Sequence, residues 1–248
     1  MGAEKVFFEY NQPAVIIIED DLALAPDFFE YFQATLPILK SDPTLWCVSA
    51  WNDMGQEKFV RDPTALRRTN FFPGLGWMLT KELWTELSPK WPAGYWDDWM
   101  REPANRKGRD CIHPEISRSY TFGRKGSSGG QFFDQHLSGI KLNDKFVKFT
   151  ESDLTYLLKP QWDRNFKQLI EPRSFVAISS PAEIEQHSNA RLALYYSSLS
   201  QYSALASQLG LHSDLKAGVP RTSYQGVVHV YINTNQVWLI PQDLKSSS

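Results

Sequence analysis

Ala14-Val15-Ile16-Ile17-Ile18-Glu19-Asp20-Asp21 is the stretch that decides the fold. Its apolar half is almost entirely β-branched and shows no polar alternation, the pattern of a strand covered on both faces, as in a parallel sheet. The run stops abruptly at three consecutive carboxylates. In open α/β sheets, ligands sit beyond the carboxyl ends of such strands. Carboxylates placed there can divide the work, one holding a hard divalent ion while another accepts hydrogen bonds from sugar hydroxyls. Mg²⁺ and Mn²⁺ suit such a site because they favour oxygen ligands and share them with substrate phosphates. The competing reading is an acidic turn capping the next helix. Three crowded carboxylates repel one another, however, unless a cation sits among them.

Outward from that point, Ala25-Pro26-Asp27 opens a helix, with Pro near the first turn, where its missing N–H costs nothing. Phe28, Phe29, Phe32, Leu36 and Leu39 follow at roughly helical spacing, and Pro37 is expected to kink or restart the helix. Leu45 to Trp51 reads as the next strand. Phe71-Phe72-Pro73-Gly74-Leu75-Gly76 is a tight turn into Trp77-Met78-Leu79, followed by a helix from about Thr80 to Leu87. Alternating strands and helices define an α/β layer fold. Seven of the nine tryptophans fall between Trp46 and Trp99, mostly as core. Gly123 to Gly130 is too glycine-rich for either regular element. Gln131 to Leu137 then reads as helical and Asn143 to Thr150 as extended. From about Pro160 the texture changes to short strands and turns: Phe175 to Ile178, Ala193 to Tyr196, and a hairpin of Val227 to Ile232 with Val237 to Ile240. One helix, carrying Leu199, Tyr202, Leu205 and Leu209, ends at Gly210.

The formal charge of −2 gives no attraction to nucleic acid. A basic stretch, Arg101, Arg106, Lys107, Arg109, Arg118, Arg124 and Lys125, is either a solvated face or a pocket wall facing an anion. No apolar run reaches bilayer length. Met1 to Lys5 is not a signal peptide, so any anchor is expected to lie outside this chain. Cys47 and Cys111 read equally as two buried thiols or one disulfide. The five histidines show no His-x-x-x-His pairing, which argues against zinc.

Two further stretches carry candidate chemistry. In Tyr95-Trp96-Asp97-Asp98-Trp99-Met100-Arg101, one aspartate suits a helix N-terminus; a carboxylate beside indoles also suits a general base facing a sugar hydroxyl. Gly126 to Gly130 matches Gly-x-Ser-x-Gly, but the strand before and helix after that a serine hydrolase requires are missing. The stretch reads instead as a hinge-like loop over a substrate, or as a plain linker.

Together, Glu19-Asp20-Asp21, Ala25 to Phe29, Trp51-Asn52-Asp53, Phe71 to Trp77, Pro89 to Pro92, Trp96 to Arg101, Pro114 to Arg118, Phe122 to Gly126 and Asp214 to Arg221 closely resemble glycosyltransferase family 13. The resemblance runs from about Tyr10 to Pro241 and is weakest between Pro160 and Arg191. It implies a nucleotide-diphospho-sugar transferase (GT-A-like) fold lacking its first strands, over residues 1–123. A glycine-rich loop and linker would follow over 124–159, then a small α+β C-terminal domain over 160–248. It implies a Golgi membrane enzyme with its catalytic part on the lumenal face, anchored through an N-terminal segment absent from this chain. The activity implied is inverting transfer of GlcNAc from UDP-GlcNAc, with Mn²⁺, to the 2-hydroxyl of a mannose on a high-mannose N-glycan acceptor. By the same carry-over Asp21 is the metal ligand, Glu19 and Asp20 contact the donor, and Asp97 is the general base. Trp96 touches the donor sugar, Leu75 and Leu137 line an N-acetyl pocket, Ser127 and Ser128 belong to the loop over the donor, and Cys47 and Cys111 form a disulfide. Because the family carries further strands before the segment matching Glu19, the alternative is a truncated, inactive paralogue that binds glycan or protein without turnover.

Overall fold

Two mixed sheets, two short two-stranded ladders (Leu22–Leu24 with Ser119–Thr121, and Leu215–Lys216 with Val219–Pro220) and the helices around them make up the protein, a computed structural model that describes residues 2–124 and 133–245. The first part contains β1 (Ala14–Ile17), β2 (Leu22–Leu24), β3 (Leu45–Ser49), β4 (Leu66–Thr69), β5 (Trp77–Thr80), β6 (Asp110–Pro114) and β7 (Ser119–Thr121). Its helices are α1 (Gly2–Phe8), α2 (Phe28–Ser41), α3 (Lys81–Leu87), α4 (Trp96–Arg101) and α5 (Pro103–Arg106). Five strands form one sheet in the order β1-β5-β3-β6-β4, in which only β3 and β6 run parallel. The α/β class expected from the sequence is therefore present.

One expectation needs correcting. β1 is an edge strand among the described residues, paired antiparallel with β5, not an interior parallel strand. Its lack of polar alternation has a physical cause. Ala14 and Ile16 pack on the core beneath α2, while Val15 and Ile17 pack on the tryptophan-rich core with Phe7, Trp77 and Trp84. Both faces are covered, and only the edge is open.

Residue alternation along β5 divides the same two cores, Met78 pointing to one and Trp77 and Leu79 to the other. α2 stays unbroken through Pro37. Phe28, Tyr31, Phe32, Ile38 and Leu39 hold it on the sheet, at roughly 1.5–3 kcal/mol per fully buried apolar side chain. Asp27 precedes α2 but does not cap it. Its carboxylate is fully buried, where it pairs with Arg118 at 3.0 Å and accepts from Asn143 Nδ2 at 2.9 Å. That contact explains why 143–150 is not the extended segment expected: its polar groups bond to Asp27 and Glu30, not to a strand. Cys47 and Cys111 are bonded register partners on β3 and β6, settling the open choice in favour of a disulfide.

The second part contains β8 (Val176–Ile178), β9 (Arg191–Tyr196), β10 (Leu215–Lys216), β11 (Val219–Pro220), β12 (Val228–Ile232) and β13 (Asn235–Pro241). Its helices are α6 (Lys159–Leu169), α7 (Leu199–Gln208) and α8 (Gln242–Lys245). The expected hairpin is β12–β13, turned at Asn233, whose φ of 54° asparagine tolerates. β9 and β8 extend it into a sheet of order β12-β13-β9-β8. α6 was not expected. Trp162 and Phe166 on one face of it join Tyr224, Trp238 and the first sheet in a shared core. No described helix is long and apolar enough to cross a membrane.

Candidate active site

Beyond β1 the chain turns through Glu19, Asp20 and Asp21 into β2, whose short ladder with β7 fixes the position of Asp21. Phe122 N donates to the Asp21 carbonyl at 3.0 Å, and Thr121 Oγ1 donates to Asp21 Oδ2 at 3.2 Å. The backbone at Gly123 lies directly on this carboxylate. A Cβ there would stand 1.9 Å from Asp21 Oδ2, so only glycine fits without displacing it.

Glu19 lines a cavity of about 260 Å³ with Ile17, Trp77, Trp84, Trp91 and Trp96. Its Oε2 is buried and has no hydrogen-bond partner among the described residues; the indole N–H groups of Trp77 and Trp84 are in the same condition. A hydroxylated ligand is the natural partner for such groups. Burial, reinforced by the charges of Asp21, Asp97 and Asp20, pushes the pKa of Glu19 up to about 7. Two stretches nearly eighty positions apart in the sequence thus meet in one carboxylate cluster.

Asp97 sits in the first turn of α4. Tyr95, 74% exposed, begins that helix in the left-handed region (φ 51°, ψ 40°), a conformation that costs a non-glycine residue roughly 1 kcal/mol. Neither Asp97 nor Asp98 caps the helix. Arg101 Nη1 bonds Asp97 Oδ2 at 2.7 Å and Asp98 Oδ1 at 2.9 Å, and Lys216 from β10 reaches Asp98 at 3.2 Å. Burial alone would raise the pKa of Asp98, but the bonds from Lys216 and Arg101 outweigh it and hold it below the usual range. Trp96 stands between Trp77 and Trp91 in a stack of near-parallel indoles, with centroids 5.7 and 6.1 Å apart. Trp46, Trp51, Trp77 and Trp84 are core, as expected, whereas Trp91, Trp96 and Trp99 are only half-buried beside the cluster.

Leu75, half-buried at φ 50°, lies on the turn before β5, where its carbonyl accepts from Ser119 Oγ at 2.6 Å. Leu137, also half-buried, ends the helical turn Phe133–Leu137. Ser127 and Ser128 lie outside the described residues. The basic stretch is not one anion-facing wall. Arg109 pairs with Glu86, Arg118 is buried on Asp27, Arg101 holds the two aspartates, and Arg106 bonds the Asn70 carbonyl.

Among the described residues no three His, Cys, Asp or Glu converge as an all-protein metal cage. Asp21, with Oδ2 tied only to Thr121, keeps lone pairs for a cation. A single oxygen donor of this kind fits Mn²⁺ or Mg²⁺, which take their remaining ligands from phosphate and water.

A second network escaped the sequence reading. Arg221 bonds Asp53 at 2.6 Å and Asp214 at 2.8 Å, His212 contacts Asp214 at 3.3 Å, and His136 stacks on His212 at 3.8 Å. It ties the turn bearing Leu137 to both parts of the protein. The only signals for it were Trp51-Asn52-Asp53 and Asp214 to Arg221, recognisable as motifs but without a local chemical reason.

The sequence matches the GNT-I family model over residues 1–247. It is 44% identical over 241 residues to an Arabidopsis thaliana protein named alpha-1,3-mannosyl-glycoprotein 2-beta-N-acetylglucosaminyltransferase, covering 97% of this chain and 54% of that relative. The chain therefore spans about half the length of the curated relative it matches. With its whole described fold inside the matched range, this chain belongs to the GNT-I family.

Proposed function

We propose that this chain carries the catalytic centre of an inverting glycosyltransferase. It moves GlcNAc from UDP-GlcNAc to the 2-hydroxyl of an α-1,3-linked mannose on a high-mannose N-glycan, making a β-1,2 linkage. The observation that carries the reading is that Glu19, in the wall of the cavity at Trp96, lies within electrostatic reach of Asp21 and Asp97, in a member of this family. The name of the Arabidopsis relative supports both the sugar transferred and the mannose accepting it.

In this reading Asp97 takes the proton from the mannose 2-hydroxyl as that oxygen attacks the anomeric carbon opposite UDP, inverting α to β. Arg101 keeps one carboxylate oxygen oriented and leaves Oδ1 unbonded among the described residues. Glu19 and Asp20 accept hydrogen bonds from the donor. Trp96 packs on the donor sugar, and Leu75 and Leu137 flank its N-acetyl group. Asp21 would hold Mn²⁺; bound there, the ion would act as a Lewis acid for charge developing on the leaving diphosphate. The open edge of β1 supports a GT-A-like sheet continued by further strands, which would complete the uridine site. The Cys47–Cys111 disulfide supports an oxidising compartment, here the Golgi lumen, with membrane attachment through an N-terminal anchor outside this chain.

The test is incubation with UDP-GlcNAc, Mn²⁺ and a five-mannose N-glycan. One added GlcNAc, β-1,2-linked to the α-1,3 mannose, supports the reading. No transfer together with no Mn²⁺-dependent UDP-GlcNAc binding counts against it.

A further inference from the structure

The helix that carries Asp97, α4, holds two carboxylates and a single cation. Asp97 and Asp98 both accept from the same nitrogen of Arg101, Nη1, at 2.7 and 2.9 Å, while Arg101 Nε donates to the Phe72 carbonyl at 3.1 Å. One guanidinium therefore serves two adjacent negative charges, and Glu19 is close enough to feel Asp97 as well. Neighbouring like charges repel, and any movement of Arg101 toward Asp98 takes it away from Asp97. The balancing charge comes from a distant part of the chain. Lys216 Nζ reaches Asp98 Oδ1 at 3.2 Å and Oδ2 at 3.3 Å.

The arm that carries Lys216 is built stiff. β10 and β11 pair with Lys216 opposite Val219, around a two-residue turn in which Ala217 and Gly218 both have positive φ, 49° and 75°. Such turns match the twist of the strands and hold a hairpin in register, and alanine enters that region only at a cost. At the base of the hairpin Arg221 grips Asp214 through two bonds of 2.8 Å, the bidentate form that fixes direction as well as distance. Arg221 also bonds Asp53 at 2.6 Å and lies 5.2 Å from the ring of Phe71; Arg101 lies 4.9 Å from the same ring. The hairpin thus meets the Asp97 helix twice, by charge at Asp98 and through the Phe71 ring that both arginines share. Lys216 and Asp98 are partly exposed, so their pair adds little to global stability. Its effect falls on direction: with Asp98 neutralised by Lys216, Arg101 is left to orient Asp97.

Resting on the reading of Asp97 as the general base, we propose that Lys216 is a positioning residue for the transfer reaction. By neutralising Asp98, the β10–β11 hairpin keeps Asp97 aimed at the acceptor hydroxyl. The second part of the chain thereby acts on the reaction without touching substrate.

Lys216→Met keeps the length of the side chain and removes its charge. In steady-state transfer from UDP-GlcNAc to the five-mannose glycan by the full chain, kcat is expected to fall about tenfold or more, since misplacing a positioned group by about 1 Å can cost on the order of a hundredfold. The KM for UDP-GlcNAc and the melting temperature should stay near the parent's. Lys216→Arg should keep most of the rate. The decisive variant is Lys216→Met with Asp98→Asn. Once the carboxylate that needs Lys216 is gone, kcat should return most of the way to the parent's, a recovery that loss of a purely structural tether would not show. Lys216→Met at the parent kcat overturns the proposal, and so does a folded double variant no faster than Lys216→Met alone.

Hydrogen exchange reads the same clamp without turnover. In the free chain the amides of α4 should exchange faster in Lys216→Met and recover in Lys216→Arg and in the double variant. That pattern in a chain that transfers nothing counts against the proposed function and leaves the clamp standing. Exchange in α4 that is indifferent to Lys216 overturns the clamp, and transfer at a rate equally indifferent to it leaves the proposed function standing.

Discussion

Gly123→Ala probes Asp21, the proposed metal ligand, without replacing it. The added Cβ would stand 1.9 Å from Asp21 Oδ2 and 2.9 Å from its Cγ. Real Cβ atoms essentially never come within 3.0 Å of another heavy atom, so the carboxylate must retreat by more than about 1 Å. Gly123 has an ordinary negative-side φ, so the substitution adds no backbone strain of the left-handed kind. Retreat breaks the bond from Thr121 Oγ1, at a net cost of about 1 kcal/mol. The fold therefore loses little, and the melting temperature should fall by only a few degrees. Mn²⁺-dependent donor binding should suffer far more, because an oxygen ligand must stay within about 0.2 Å of its metal-bonding distance and a retreat of about 1 Å takes it out of range. Calorimetric titration of UDP-GlcNAc with and without Mn²⁺ is the assay. The expected result is loss of the Mn²⁺-dependent part of binding in Gly123→Ala, with thermal unfolding nearly unchanged. Parent-like Mn²⁺-dependent binding would refute the reasoning, since it would mean that Asp21 is not the ligand or that its position does not matter.

Cys47→Ser with Cys111→Ser should lower unfolding free energy by about 4 kcal/mol, the loop-closure value for a separation of 64 residues, and reductant should reproduce the loss in the parent protein. Arg118→Met leaves Asp27 charged and fully buried and should cost about 3–5 kcal/mol in denaturant unfolding, whereas Asp27→Leu with Arg118→Met should recover most of it. Stability should also fall with acid. Burial, aided by Arg67, pushes His113 down to about 4 from 6.5, so the unfolded chain binds the proton first as pH drops. Stability is unaffected above pH 6.5 and falls through the window down to about pH 4, where the total loss reaches about 3 kcal/mol. His113→Gln should flatten that part of the stability–pH curve.

Much of the first sheet was legible because its signals are local. The β-branched run at Ala14 to Ile18 marked β1, and Thr80, which accepts from Leu83 N as the cap of α3, marked the junction after β5. The hairpin of β12 and β13 was equally readable around Asn233. Other features depend on partners that no local pattern reveals. Whether β1 is interior or edge depends on which strand lies beside it, and two covered faces produce the same residue pattern in both cases. α6 was missed because the stretch from Pro160 read as the start of short strands and turns, whereas Pro160 occupies the helix start, where proline is tolerated, and Trp162 and Phe166 carry the helical spacing. At the site, Glu19-Asp20-Asp21 and Asp97 each stood out, but their meeting came only with the fold. The bond of Lys216 to Asp98 spans 118 residues and had no sequence signature at all.

The base role of Asp97 is the step on which the proposed chemistry turns. Asp97→Asn keeps the shape of the side chain, and Asp98 still holds Arg101. Single-turnover transfer from UDP-GlcNAc to the five-mannose glycan should fall by about 10²–10⁴-fold, the usual worth of a positioned general base, with Mn²⁺-dependent donor affinity unchanged. Transfer at the parent rate with donor affinity intact would contradict it.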